Sequence, residues 1–245
     1  MPNFASKTFA VLLGTACLVA PSVSMGSSFQ VSCSDEAAET ISDGMALLHN
    51  MMYIQAEERF NIAANMEPDC AMAQWGIALS NFHPLWPGTP SEAEMKRGQA
   101  AATQLATMTP GSAIESDMIA AASAFYAPGI EGYRARLASW ANAQIETGAH
   151  HPDSVDAAAF AALARIAVAP RGPGRIQVLS DVGDTLDALH AKAPDHPGVI
   201  HYAIHAYDNP SLKMRGKTYA EIYDDTAPNA PHALHMPAHI FTRTG

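Results

Sequence analysis

Four histidines recur in two pairs with the same internal spacing. His201 and His205 are four residues apart, as are His235 and His239, and the second pair follows the first by 34 residues. Positions four apart on an α-helix share one face, with Cβ atoms about 5–6 Å from each other. Neutral imidazole binds zinc, copper, iron and nickel. The four side chains are therefore predicted to line one surface and to bind a single transition-metal ion (Zn, Cu, Fe or Ni).

Further residues would extend this surface with a carboxylate, more imidazoles and an aromatic ring; these candidates are Asp208, His232, His49, His83 and Trp75. His49 and His83 repeat the spacing of 34 residues. The alternative for these two is an ordinary histidine at a helix C-terminus, where the helix dipole favours a positive charge.

Three functions fit this pattern: a scaffold that binds a peptide or protein, a metal-binding protein, and a metal-dependent enzyme. Neither histidine pair is a zinc-protease motif, because Tyr202 and Met236 stand where that motif needs a general-base glutamate. The chain also lacks a nucleophile elbow, a Walker loop and a dinucleotide fingerprint. Without metal, the histidines would form a polar groove wall that binds a peptide or small molecule, or would be purely structural. The sequence assigns no reaction.

Pro237 falls between the two histidines of the second pair. A proline inside a helix removes one N–H donor and usually kinks the helix, which would turn His239 relative to His235. The alternative is a helix that starts near Pro237 and leaves His235 in the preceding turn. The residues themselves leave both alternatives open.

A proline also recurs along the chain in small or acidic settings, at intervals of 42, 42, 42 and 34 residues; the positions are Pro68, Pro110, Pro152, Pro194 and Pro228. A fixed period of about 20–50 residues is typical of a solenoid, and about 34 is the length of a tetratricopeptide unit. The longer units carry breaker-rich segments at 84–90, 127–132 and 169–174. These segments are predicted to be loops on one edge of a stack.

The first unit has small, aromatic and proline residues at the helix-packing positions of a tetratricopeptide repeat; they are Gly44, Ala56, Phe60, Ala63 and Pro68. Most of residues 35–245 resembles exported bacterial tetratricopeptide-repeat proteins. The runs 44–49, 70–76 and 235–240 are similar to stretches of one poorly characterised group among them. The resemblance implies an all-α solenoid of antiparallel helix pairs, with the first helix of each pair lining a concave groove for a peptide, protein or small-molecule ligand. It implies no activity.

Composition and spacing agree with an all-helical chain. Apolar residues recur at helical intervals, and no strand-like run with hairpin punctuation occurs. With 24 acidic against 14 basic residues and a net charge of −10, the chain has no basic stripe for phosphates. We therefore expect no nucleic-acid partner.

The N-terminus has the pattern of a signal peptide over residues 1–24. Lys7 provides the positive charge, residues 9–20 the apolar segment, and residues 22–24 the small residues for cleavage. The apolar segment is too short for a permanent membrane anchor, which needs about 20 residues. The chain is expected to be exported to a bacterial periplasm or secreted, with an extension over 25–34 and a repeat domain over 35–245. Since the unit after Pro228 has room for one helix only, the native chain is expected to continue beyond Gly245.

Export would place the two remaining cysteines, Cys33 and Cys70, in an oxidising compartment. They flank the first repeat, so they are expected to form a disulfide. The alternatives are two buried free thiols or a site with two cysteines and one histidine.

Overall fold

The computed structural model describes residues 30–245 except positions 87, 227 and 229, so the predicted signal peptide lies outside the described residues. Across the described residues the regular structure is α-helical and contains no strand, which confirms the all-α prediction. The helices are α1 (Asp35–His49), α2 (Tyr53–Met66), α3 (Ala71–Leu79), α4 (Glu92–Leu105), α5 (Ala113–Phe125), α6 (Tyr133–His150), α7 (Val155–Ala167), α8 (Arg175–Lys192), α9 (Pro197–Tyr207), α10 (Lys217–Thr226), α11 (Pro231–His235) and α12 (Pro237–Thr244). None of these helices has the length and apolar character needed to cross a membrane.

Consecutive helices pack as pairs, and each pair continues onto the next through the contacts of α2 with α3, α3 with α5, α6 with α7, and α8 with α9. Phe60 shows why the first pairs associate so closely. Its buried ring occupies space that a side chain on α3 would need, because a Cβ at Gly76 would lie 2.1 Å from the ring. Only glycine at that position lets α2 and α3 approach to this distance.

Cys33 and Cys70 are joined by a disulfide, with Cα atoms 5.6 Å apart. It connects the segment before α1 to the residue before α3. In the same region the backbone N–H of Ser34 donates to the carboxylate of Glu67 at 2.7 Å. The N-terminal segment is therefore held against the first helix pair by one covalent bond and one charge-assisted hydrogen bond.

The first helix also packs against the ninth, although the two are far apart in the chain. Gly198 permits this approach, since a Cβ there would lie 2.2 Å from Nδ1 of His49. The Tyr202 hydroxyl of α9 donates to the same nitrogen at 3.0 Å. The space between α1 and α9 is consequently filled by side chains.

This packing corrects two expectations about an open groove wall. Trp75 is fully buried and lies between Phe60 and Phe160, with ring centroids 6.1 and 5.9 Å away. His49 is buried as well, and its ring stacks on Phe160 at 4.3 Å. Both side chains belong to the core because α1, α3, α7 and α9 close around them.

The three breaker-rich segments do come together. Residues from 84–86, 88–89, 131–132 and 169–171 line one cavity of about 1080 Å³, together with the start of α6 and the end of α7. We call it the loop cavity. The extra residues of the longer units therefore build one concave feature of the surface.

Candidate metal centre

Helix α9 places two histidines one turn apart. His196 is its N-cap, where the ring Nδ1 accepts a hydrogen bond from the Val199 backbone at 3.3 Å, and Pro197 occupies the first helical position. Proline is favoured there because its missing N–H would have no partner in the helix. From this start, His201 and His205 fall on the same face, with their Nε2 atoms 3.1 Å apart.

A third imidazole joins them from the short helix α11. One ring nitrogen from each of His201, His205 and His232 lies within 4.8 Å of the other two. The ring centroid of His232 is 5.0 Å from that of His201 and 6.4 Å from that of His205. Since metal–nitrogen bonds of about 2.0–2.1 Å place ligand nitrogens about 3–4 Å apart, small side-chain movements would let one ion contact all three rings.

The hydrogen bonds of the cluster define which nitrogen of His201 could bind a metal. His201 Nδ1 donates to the backbone carbonyl of His49 at 2.6 Å, so its Nε2 has the lone pair, which accepts a hydrogen bond from Nε2 of His205 at 3.1 Å. This carbonyl is at the C-terminus of α1, where no intrahelical partner exists. His232 Nε2 is buried and has no hydrogen-bond partner among the described residues. A carbonyl that orients a ligating histidine, together with a nitrogen that lacks a partner, is typical of a metal site.

Burial keeps these imidazoles neutral. Desolvation, assisted by the neighbouring rings of His205 and His232, lowers the pKa of His201 well below its usual value. For the same reasons the pKa of His205 falls to about 3 and that of His232 to about 4. A metal ion requires the neutral form of histidine. At neutral pH all three side chains are therefore in the ligand form.

The other predicted pair lies beside this cluster. His235 and His239 have their Nε2 atoms 3.0 Å apart, and the ring of His235 is 6.2 Å from that of His232. His239 Nδ1 donates to the carboxylate of Asp208 at 3.0 Å. Arg243 pairs with the same carboxylate. The structure thus brings His201 and His205 together with His232, while His235 and His239 form an adjacent pair at a more exposed position.

Pro237 explains this division. Helix α11 ends at His235 and α12 begins at Pro237, so the proline takes the first position of a new helix, as the second alternative expected. His235, however, is the last residue of the preceding helix and does not lie in a turn. Met236 between the two helices keeps helical dihedrals. The rings of His235 and His239 therefore stay in contact across the break. His232 is the histidine of α11 that lies against the histidines of α9.

A second cluster lies between α1, α7 and α9. The buried carboxylate of Asp156 accepts hydrogen bonds from Nε2 of His49 at 2.9 Å and from Nε2 of His196 at 3.2 Å. The Nδ1 atoms of these rings accept from Tyr202 and from the Val199 backbone. Burial alone would raise the pKa of Asp156, but the two imidazole donors hold it well below its usual value.

The two clusters differ in what a metal would have to displace. The residue types of His49, Asp156 and His196 suit a metal ion, and their ligand atoms are close enough. However, all four ring nitrogens of this cluster have hydrogen-bond partners, so an ion would break several existing bonds in the core. In the first cluster an ion would displace the hydrogen bond between His201 and His205 and would contact the buried His232 Nε2, which has no partner among the described residues. The second cluster is therefore a structural network, and His201, His205 and His232 are the better candidate ligands.

His83 lies apart from both clusters. Its Nε2 is 3.6 Å from the carboxylate of Glu94, and its ring packs on Tyr53 with centroids 4.5 Å apart. Burial lowers the pKa of His83 despite the carboxylate. Among the described residues, His83 is not part of either group of converging ligand atoms.

Sequence spacing did not indicate the second cluster, because Asp156 and His196 lie on different helices and share no period with His49. The only available signal was the position of His196 before a proline, which is typical of a helix N-cap.

The chain matches no protein-family model, no curated protein and no solved structure. Inference about function therefore depends on the geometry of these side chains.

Proposed function

We propose that this chain is an exported helical-repeat protein of tetratricopeptide type that binds one transition-metal ion through His201, His205 and His232. The observation that carries the proposal is the convergence of three neutral imidazoles, one of which has a buried nitrogen without a partner. A buried polar atom without a hydrogen bond costs free energy, about 1–3 kcal/mol. A bound ion would remove that cost and hold the three rings in one arrangement.

The repeat and export components rest on separate observations. Helix pairs that pack in chain order and the recurring proline support a tetratricopeptide-type stack. The disulfide between Cys33 and Cys70 supports an oxidising compartment, because cytosolic proteins rarely keep such bonds. The pattern of residues 1–24 supports a signal peptide that would direct the chain there.

Three imidazoles suit Zn²⁺ best, with copper, iron and nickel as competitors for the same nitrogen ligands. Catalytic zinc sites commonly have three protein ligands and a fourth position held by water or substrate, whereas structural sites are filled by four protein ligands. The arrangement of His201, His205 and His232 corresponds to the first type. That correspondence supports a metal-dependent enzyme as the second candidate, for which these residues define no particular reaction.

Elemental analysis of the untagged protein, purified from a periplasm, tests the metal proposal. We expect about one equivalent of metal, lost on dialysis against a chelator and restored by Zn²⁺. In His232→Ala the affinity should fall by about two orders of magnitude, since one of three ligands is lost. His150→Ala is the matched control, because this exposed histidine lies at the end of α6.

The proposal is overturned if the wild-type protein neither retains metal nor binds Zn²⁺ in calorimetry. It is also overturned if His150→Ala weakens binding as much as His232→Ala. A large loss in His235→Ala with no loss in His232→Ala would instead place the ion at the neighbouring pair.

A further inference from the structure

The loop cavity combines apolar walls with arginine side chains. Leu137, Ile166 and Val168 contribute apolar surface, and Trp86, which is 43% exposed, lies at the edge nearest α11. The volume of about 1080 Å³ is slightly above the range that is usual for small-molecule sites, about 300–1,000 Å³. A mostly apolar cleft with a few charged groups is the usual form of such a site.

Three of the basic residues line this cavity, in a chain with only 14 of them and a net charge of −10. They are Arg134, Arg171 and Arg175. Within the part of the chain that the structure describes, none of the three has an ion pair with a carboxylate. Glu131 is the one acidic residue of the lining, so the cavity carries net positive charge.

Three other arginines do form ion pairs. Arg97 pairs with Glu57, Arg215 with two aspartates, and Arg243 with Asp208. No ion pair occupies the three arginines of the loop cavity among the described residues, although the protein is acidic. Arg175 donates through Nη1 to the carbonyl of Ala169 at 3.4 Å and has further N–H donors for a ligand. A guanidinium presents a planar fork of N–H donors that matches a carboxylate or phosphate.

Hydrogen bonds hold the walls of the cavity in place. The Tyr133 hydroxyl donates to the carbonyls of Phe82 and His83 at 3.0 and 3.1 Å, which fixes the loop before α4. Arg136 donates to the carbonyl of Phe125 at 2.9 Å and fixes the loop before α6. A preformed site loses little conformational entropy when a ligand binds.

We infer that the loop cavity binds a small organic anion, with its carboxylate or phosphate on Arg134, Arg171 and Arg175 and its apolar body against Trp86. Stacking on the indole would orient the body, and the guanidiniums would select for negative charge. The Trp86 ring is 5.3 Å from that of His232, so the ligand would lie beside the histidine cluster. The inference does not depend on a bound metal.

Titration calorimetry of the full chain, made metal-free with a chelator, tests the inference with three probes. These are 4-phenylbutyrate, phenyl phosphate and the uncharged 4-phenylbutan-1-ol. We expect at least one anion to bind about tenfold or more tightly than the alcohol, because charge-assisted hydrogen bonds are the stronger ones. The tighter anion identifies whether the natural ligand carries a carboxylate or a phosphate. Binding should also weaken in about 1 M NaCl, which screens exposed charges.

Substitution locates the binding. Arg171→Gln and Arg134→Gln should each weaken anion binding about tenfold or more, since each removes one charged donor. Arg59→Gln is the matched control, because Arg59 is exposed on α2 and does not line the cavity. All three side chains are exposed, so the helical signal should be unchanged.

Tryptophan fluorescence gives an independent readout. Trp75 and Trp140 are fully buried, so quenching by acrylamide reports mainly on Trp86. A bound anion should protect Trp86 from the quencher. Equal binding of the alcohol and the anions, no binding of either anion, or an equal loss in Arg59→Gln would overturn the inference. A failure to find metal in the elemental analysis would not affect the inference about the loop cavity.

Discussion

Replacing Asp156 by alanine is expected to destabilise the whole protein. The carboxylate is fully buried and accepts one hydrogen bond each from His49 and His196. Without it, two buried imidazole N–H groups lose their partner, at a cost of about 1.5–3 kcal/mol for each hydrogen bond to a charged group. The free energy of unfolding should therefore fall by about 3–6 kcal/mol, from a total that is typically about 5–15 kcal/mol.

Urea denaturation followed by circular dichroism at neutral pH measures this loss. Asp153→Ala is the control, because Asp153 is exposed just before α7 and should change the free energy of unfolding by less than about 0.5 kcal/mol. The pKa of Asp156 is depressed, so its contribution is complete above the usual aspartate value and is lost as pH falls through the lower folded value. A loss below about 1 kcal/mol in Asp156→Ala would refute the assignment of a structural network.

Three further outcomes are expected. Burial lowers the pKa of His205 to about 3 and that of His232 to about 4, so both imidazoles stay neutral in the folded protein at pH 5. In the unfolded chain the same two side chains take up protons below about pH 6.5. Metal-free protein should thus lose up to about 2 kcal/mol for each histidine between pH 6.5 and about pH 5, and equal urea midpoints at the two pH values would contradict this. Reduction of the disulfide between Cys33 and Cys70, 37 residues apart, should cost about 3–4 kcal/mol, measured by denaturation with and without reductant; an unchanged midpoint would count against it. Phe60→Ala should cost about 3–5 kcal/mol by the same assay, because the ring fills the space between α2 and α3, and a loss under about 1 kcal/mol would contradict that packing.

The helical fold and part of the candidate site could be predicted because both depend on local periodicity. The spacing of His201 and His205 defines a helix face, and the structure places both rings on it. The breaker-rich segments indicated loops, and the structure brings them to one cavity. Patterns of this kind depend only on residues within one helix or one loop.

The remaining features depend on contacts between distant segments. His232 joins the cluster in place of His235, because α11 ends at His235 and a new helix begins at Pro237, an arrangement that neither alternative from the sequence described in full. The burial of Trp75 and His49 follows from the closing of α1 onto α9, which no interval in the sequence records. Helical periodicity identifies an apolar face but does not specify which other helix covers it.

The contact of α1 with α9 has a consequence for how the chain folds. In an open repeat array each unit touches only its neighbours, and folding can start anywhere and spread along the chain. Here the ring of His49 meets a hydroxyl 153 residues later, at Tyr202. Helix α1 therefore cannot make all of its native contacts until α9 has been synthesised. Contacts between such distant residues raise the contact order, which slows folding. Once α1 and α9 are in contact, the pair α1 and α2 should unfold together with the pair α9 and α10 in a single cooperative transition, and amides in α1 and α9 should exchange with solvent at matching rates.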